Sequence, residues 1–313
     1  METPSPALLI VGTVAFDAIE TPFGKTDKIV GGAATYAALS ASYFASPTGI
    51  ISVVGDDFPQ SFLETFRKHG ILLDGLEVRQ GEKSFFWSGR YRADMNTRDT
   101  LDTQLNVLAS FKPVVPVTWR HCPFLLLGNL MPSIQSAVLD QMASRPRLVV
   151  MDTMNFWMET ALDDLKRVLR RVDVLTINDE EARQLSGQYS LVAAARAILK
   201  MGPAFLVIKK GENGALLFHG DQVFFAPALP LEEVFDPTGA GDTFAGGFLG
   251  YLASTGDISF DNMKRAVLYG SAMASFCVEM FGTERLVFLS KDEIESRLRQ
   301  FIHLTQFDIQ LAE

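Results

Sequence analysis

The stretch Asp236-Pro237-Thr238-Gly239-Ala240-Gly241-Asp242-Thr243-Phe244, followed by the small-residue run Ala245 to Ala253, is the most informative part of this chain. Gly239 and Gly241 let the backbone turn tightly with its amides facing one way, and the helix expected after them adds the positive end of its dipole. Together these make an anion site. An aspartate beside such a site can accept a proton from an attacking hydroxyl while the amides hold a transferred group. Asp242 therefore has the chemistry of a general base for phosphoryl transfer. On these residues alone, a glycine-rich turn with Asp242 as an ordinary helix N-cap reads equally well. A dinucleotide-binding fingerprint, and with it an oxidoreductase, reads worse, because Phe244 stands where the third glycine belongs and the stretch lies late in the chain.

Upstream, short apolar runs rich in branched residues recur at Leu8 to Val11, Ile50 to Val54, Phe124 to Leu127, Leu148 to Met151, Val174 to Ile177 and Phe205 to Ile208. Segments with helical spacing separate them. This alternation predicts an α/β fold, a doubly wound and mainly parallel sheet flanked by helices on both faces. Two of the helices have readable ends: Phe58 to His69 stops at Gly70, and Leu191 to Met201 stops at Gly202. Two segments break the rhythm, about 16–30 and 83–106, the second carrying Lys83 to Tyr91 (KSFFWSGRY) and a polar continuation to Asn106. They read either as a small β lid inserted into the domain or as a pair of surface hairpins.

Bulk properties narrow the function. With 313 residues, 48% of them hydrophobic and 21% charged, the chain can bury a large core, and its formal charge of -9 makes nucleic acid an unsuitable partner. The densest basic cluster, Arg90, Arg92 and Arg98, is interleaved with Asp94, Asp99 and Asp102. Cys122 and Cys277 sit among apolar residues, as thiols of a reducing cytoplasm do, and no apolar run is long enough for a membrane span. A cytoplasmic location is expected. Gly24-Lys25-Thr26 ends like a phosphate-binding P-loop, but Ile19 occupies the position of its first glycine. The four histidines lack zinc-ligand spacing, and there is no Gly-x-Ser-x-Gly elbow.

Asp236 to Phe244 also resembles, at every fixed position, the C-terminal signature of the ribokinase-like carbohydrate kinases, the phosphofructokinase-B type. The resemblance extends over nearly the whole chain. Gly12 to Asp17 looks like that family's first strand and its sugar-binding aspartate, and Gly31-Gly32-Ala33-Ala34-Thr35-Tyr36 like the di-glycine start of its first helix. Asn178 to Glu181 resembles its Asn-x-x-Glu element, although the same residues read as a capping box. The resemblance implies a single ribokinase-like kinase domain over 1–313, using ATP and Mg2+. Asp242 would be the base and Gly239, Ala240 and Gly241 the anion hole. Asp17, Gly31, Gly32, Tyr36 and Asn129 would hold the acceptor. On the nucleotide side it implies Asn178, Glu181 (Mg2+ through water), Lys209, Gly211, Gly214, Ser271 at the adenine and Gly282 closing that pocket. A monovalent cation, K+, would lie at Asp236 and the Thr238 carbonyl, where Asp236 otherwise reads as a loop cap.

The chain departs from the ribose-type pattern at Ala33, at Tyr36, and at Asn129, which is neutral where a glutamate is expected. The acceptor is therefore expected to be a neutral sugar or nucleoside, with Tyr36 stacking on it, and the lid residues Arg90, Arg92 and Lys83 are the cations that would make it a sugar phosphate instead. A non-catalytic binding protein on the same scaffold is the rival from another class, and a homodimer through the lid is the expected assembly.

Overall fold

The computed structural model describes residues 5–306. The chain begins with β1 (Leu8–Val11), leaves for three strands, β2 (Ala15–Thr21), β3 (Gly24–Lys25) and β4 (Ile29–Gly31), and returns through α1 (Ala33–Ser42) to β5 (Thr48–Gly55), α2 (Gln60–Lys68) and β6 (Ile71–Arg79). A second excursion, β7 (Phe86–Tyr91) and β8 (Arg98–Gln104), precedes β9 (Phe124–Leu127), α3 (Pro132–Gln141), β10 (Leu148–Asp152), α4 (Asn155–Thr160) and α5 (Leu162–Leu169). Then come β11 (Val174–Asn178), α6 (Asp179–Ser186), α7 (Leu191–Leu199), β12 (Phe205–Lys209) and the hairpin β13 (Ala215–His219) and β14 (Gln222–Ala226). The last helices are α8 (Ala240–Thr255), α9 (Phe260–Cys277), α10 (Glu284–Val287) and α11 (Lys291–Thr305).

Nine strands form one sheet in the order β14, β13, β12, β11, β10, β9, β1, β5, β6. Strands β6 to β12 along this order run parallel, and the hairpin adds an antiparallel edge. The apolar runs are continuous because both faces are covered. Leu8 and Ile10 point into a core shared with α1, α2, α8 and α9, whereas Leu9 and Val11 point into a second core shared with α3 to α7. On the first face α8 lies against α1 at backbone distance: a Cβ added to Gly246 would fall 2.2 Å from the Ala37 carbonyl oxygen. The small-residue run after the Gly-Ala-Gly-Asp turn is thus a packing surface that fixes α8 to α1. Helix α2 ends at Lys68 with His69 as its C-cap and Gly70 at φ 69° beyond it, so the expected stop at Gly70 holds while the helix starts two residues later than Phe58.

Three expected strands run one residue further than their apolar runs, onto Asp152, Asn178 and Lys209. The two segments that break the rhythm meet as one five-stranded sheet, in the order β3, β2, β7, β8 with β4 also on β2. In β2 and β7, Asp17 lies beside Trp87 on one face, and Phe16, Ala18 and Glu20 lie beside Phe86, Ser88 and Arg90 on the other. No helix among the described residues is long and apolar enough to cross a membrane.

Candidate active site

From β1 the chain winds through β5 and β6 to one side, and from β9 through β12 to the other, so the order reverses between β1 and β9. In open parallel sheets the crevice beyond the strand C-termini at such a point receives ligands. Asp17 and Gly32 follow β1 there, Asn129 follows β9, and Asp152, Asn178 and Lys209 end the next three strands.

Asp17 is 5% exposed, and the di-glycine exists because of it: a Cβ on Gly31 would lie 1.8 Å from its Oδ2, and Gly32, at φ 95°, caps α1 with its face against the Thr13 carbonyl. Burial pushes the Asp17 carboxyl up to about 7, the Asp236 charge adds to this, and a hydrogen bond from the Gly32 amide opposes it.

At the anion turn, Gly239 is the N-cap of α8, with φ 75°, and Asp242 stands in the first helical turn. Asp242 is therefore not the cap. The helical ladder starts with the Thr243 amide donating to the Gly239 carbonyl at 2.8 Å, and the Ala240 amide turns back to Pro237 O at 3.2 Å. The amides left over at the helix end are those of Gly241 and Asp242, the second of which also donates to its own carboxyl. Asp242 is pushed up to about 7 by burial and by the Asp152 charge, with Lys209 and Arg98 pulling the other way. Asp236 caps this loop: its Oδ1 accepts from the Thr238 amide at 2.8 Å and its Oδ2 from the Gly282 amide at 2.9 Å, while the Cys277 thiol points at Thr238 O. Its carboxyl is raised by burial.

At the C-terminal end of β11 Asn178 and Glu181 form the capping box in full, each side chain bonding the other's backbone amide at 2.8 Å. Glu181 is pushed up to about 7 by burial and the Asp152 charge, so the box stands inside the electrostatic field of the crevice. Lys209 Nζ donates to Asp152 Oδ2 at 2.6 Å. The lid reaches across to this side. A Cβ on Gly211 would meet Asn96 Oδ1 at 2.5 Å, and Thr238 Oγ1 donates to Tyr91 Oη at 3.2 Å, which ties the lid to the anion turn. Gly214 is backed by the Ala226 carbonyl of the edge hairpin, and Ser271 is half-buried on α9.

Several expected contacts fall elsewhere. Tyr36 is 1% exposed and cannot stack on an acceptor, because its ring fills the space beneath Gly239, where a Cβ would come within 2.4 Å of it. Asn129 has both ends of its carboxamide engaged, accepting from Trp157 Nε1 at 2.9 Å and donating to Met154 Sδ at 3.1 Å. Gly282 lies behind the Gly239 turn, its amide on Asp236 and its Cα face against Ile29. Arg90 pairs with Glu20 and Arg92 with Asp99, so neither enters the crevice, and Lys83 lines a cavity of about 460 Å³ with Ala18, Phe86 and Ser88 on the opposite face of the lid. The lid cation that acts on Asp242, Glu181 and Tyr91 is Arg98. Arg98, Asp152 and the cleft-facing Trp87 are the residues that sequence reasoning missed or left unplaced. Only Asp152 had a signal, as the polar residue directly after a buried parallel strand.

A model of pfkB family carbohydrate kinases matches residues 8–287. The chain belongs to this family. Among relatives of this pfkB kinase, the cytidine kinase of Thermococcus kodakarensis is 29% identical over 77% of this chain and 87% of its own length. The nucleoside kinase of Methanothermobacter thermautotrophicus is 27% identical over 88% and 91%. Aminoimidazole riboside kinase from Salmonella enterica, solved with its riboside and an ATP analogue, superposes with a TM-score of 0.73 at 22% identity, over 93% of this chain and 99% of its own. The chain is a carbohydrate or nucleoside kinase of ribokinase-like fold, a family whose usual cofactors are ATP and Mg2+.

Proposed function

We propose that this pfkB kinase phosphorylates a hydroxyl of a nucleoside, with Asp242 as the base. The observation that supports the reading is the meeting, at one crevice, of Asp242 and the first-turn amides of α8 with Asp17 and the lid. The first-turn amides of Gly241 and Asp242 fit phosphate oxygens, and Asn178 and Glu181 stand where the nucleotide and its metal would be held. ATP with Mg2+ would supply the transferable phosphoryl group. Asp17 receives acceptor hydroxyls, Asp242 takes the proton from the attacking one, and the α8 amides with Lys209 offset the negative charge of the group in transit. The lid covers the crevice and excludes water.

The nucleoside is favoured by Trp87. Gly89 has no Cβ, and one built there would lie 2.1 Å from the indole, so the ring rests flat on the lid beside Asp17, held by Nε1 donating to Thr100. A flat aromatic face next to a hydroxyl-binding carboxylate suits a base joined to ribose, and the relatives include nucleoside and cytidine kinases. Arg90 and Arg92 are bonded to Glu20 and Asp99, and Arg98 is the lid cation beside Trp87, so the sugar-phosphate alternative turns on Arg98. A K+ requirement at Asp236 belongs to the same proposal, as do closure of one 1–313 domain by lid segments 16–30 and 83–106 and pairing of two chains through those lids.

The test is ATP turnover across nucleosides, neutral sugars and sugar phosphates, in K+ and in tetramethylammonium. A nucleoside is expected to give the highest kcat/KM, and Asp242→Asn to lower kcat by about 10² or more with ATP binding retained. A tenfold preference for sugar phosphates would overturn the acceptor, and a loss below tenfold in Asp242→Asn would overturn the base.

A further inference from the structure

Asp152, Thr176 and Lys209 belong to three adjacent strands, and strand periodicity turns all three toward the face covered by α8. Val150, Val174 and Val207, two residues before them, lie in the core that α8 shares. Asp152 Oδ2 accepts from Thr176 Oγ1 at 2.9 Å and from Lys209 Nζ at 2.6 Å, so one carboxylate oxygen reaches across β11 to hold a lysine two strands away. The pair is nearly dry, with side-chain exposures of 17% for Lys209 and 10% for Asp152. The ammonium ends directly under the first turn of α8: a Cβ on Gly241 would stand 3.0 Å from Nζ. Burial pulls the lysine toward neutrality, and the Asp152 and Glu181 charges outweigh it, so the ammonium stays charged.

We propose that Asp152 is a positioning residue for phosphoryl transfer, anchoring the Lys209 ammonium under the Gly241 amide so that a fixed positive charge backs the site of the transferred group. This rests on the kinase reading above. A lysine on a flexible four-carbon stem would otherwise collapse onto Glu181 or swing into solvent, and a charge that must be re-placed at each turnover loses the advantage of preorganisation. Thr176 fixes the carboxylate in turn, so the unit is a chain of three side chains ending under an anion site.

A purely structural ion pair would join the same strands, and kinetics separates the two. Asp152→Asn and Lys209→Met are compared with the double variant, which removes both members of the pair, whereas each single substitution leaves one without the other. The proposal expects each single variant to lose at least tenfold in kcat at saturating ATP and acceptor, with KM for the acceptor within threefold of wild type. It expects the double variant to be no slower than the slower single. Single variants with wild-type kcat, or losses that multiply in the double, would overturn it. If a single variant does not fold, the double variant decides: kcat within twofold of wild type overturns the proposal. The kinase reading is scored separately, on wild type. If wild type transfers phosphate to no acceptor, binding of the β,γ-imido analogue of ATP relative to ADP replaces kcat. A preference for the analogue that Lys209→Met and Asp152→Asn both reduce at least threefold supports the anchor, and an unchanged preference overturns it.

Discussion

The hydroxyl of Tyr36 is enclosed with no hydrogen-bond partner among the described residues, and burial with the nearby Asp17 and Asp236 charges drives its pKa far above the ordinary tyrosine value. Its ring, in contrast, supports the Gly239 turn. Ring and hydroxyl thus have opposite effects, since an unpartnered buried hydroxyl costs about 1–3 kcal/mol. Tyr36→Phe is expected to leave the melting temperature unchanged or raise it by roughly 2 °C, as about 1 kcal/mol does for a chain of this size. Thermal unfolding checks this, and a fall of several degrees would mean that the hydroxyl has a partner in solution. Asn129 shows a similar reversal. Its position after β9 puts it at the crevice, and its bonds to Trp157 and Met154 make it a brace for the wall of that crevice.

At the scale of elements, β8 of the lid carries the decisive alternation. All seven of its residues are exposed, and the register slips between Ser88 and Gly89, which leaves Arg98 beside Tyr91 and Asp99 beside Arg90. Arg98 consequently shares the inner face with Trp87, 6.0 Å from its ring, and Arg90 faces outward to Glu20. The two arginines are expected to behave differently on truncation. Arg98→Ala should lower kcat about tenfold or more, because it removes a cation from the field at Asp242 and Glu181. Arg90→Ala should change kcat and KM by less than twofold, since an exposed pair such as Arg90–Glu20 is worth under about 1 kcal/mol. Steady-state kinetics on both variants is the check, and equal losses would place the arginines wrongly.

For the whole molecule, the crevice concentrates carboxylates whose protonation the fold itself alters. Asp17, Glu181 and Asp242 are each pushed up to about 7, mainly by burial, against an ordinary value near 4 in the unfolded chain. Between about pH 4 and 7 the folded state therefore binds more protons than the unfolded one. The stability they contribute is full below about pH 4 and is lost as pH rises through 7. Glu293, held at about 2 by Arg285 and Ser290, acts in the opposite sense, its contribution being lost only as pH falls below its ordinary range. Without nucleotide the melting temperature should be highest near pH 5 and decline toward pH 8, and Asp242→Asn should flatten that decline. A melting temperature rising steadily from pH 5 to 8 would contradict this. Turnover should follow the reverse course, with kcat/KM falling below about pH 7 as Asp242 takes up a proton.

The sequence by itself determined the parallel sheet, because a strand buried on both faces must be apolar at every position, as Leu8 to Val11 and Phe124 to Leu127 are. It also marked a glycine turn ahead of α8, where a helix start at φ 75° against an aromatic ring favours glycine, and it set 16–30 and 83–106 apart from the parallel sheet while leaving open whether they form one sheet or two hairpins. What it left undecided are contacts between elements distant in the chain. The apolar runs ended one residue short of Asp152, Asn178 and Lys209, since a strand's last position is free to be polar when it faces a crevice. The Asp152–Lys209 pair depends on strand order, Tyr36 on how closely α8 approaches α1, and Arg98 on a register slip in β8. Each of these is set by packing across the molecule, which no local pattern of residues encodes.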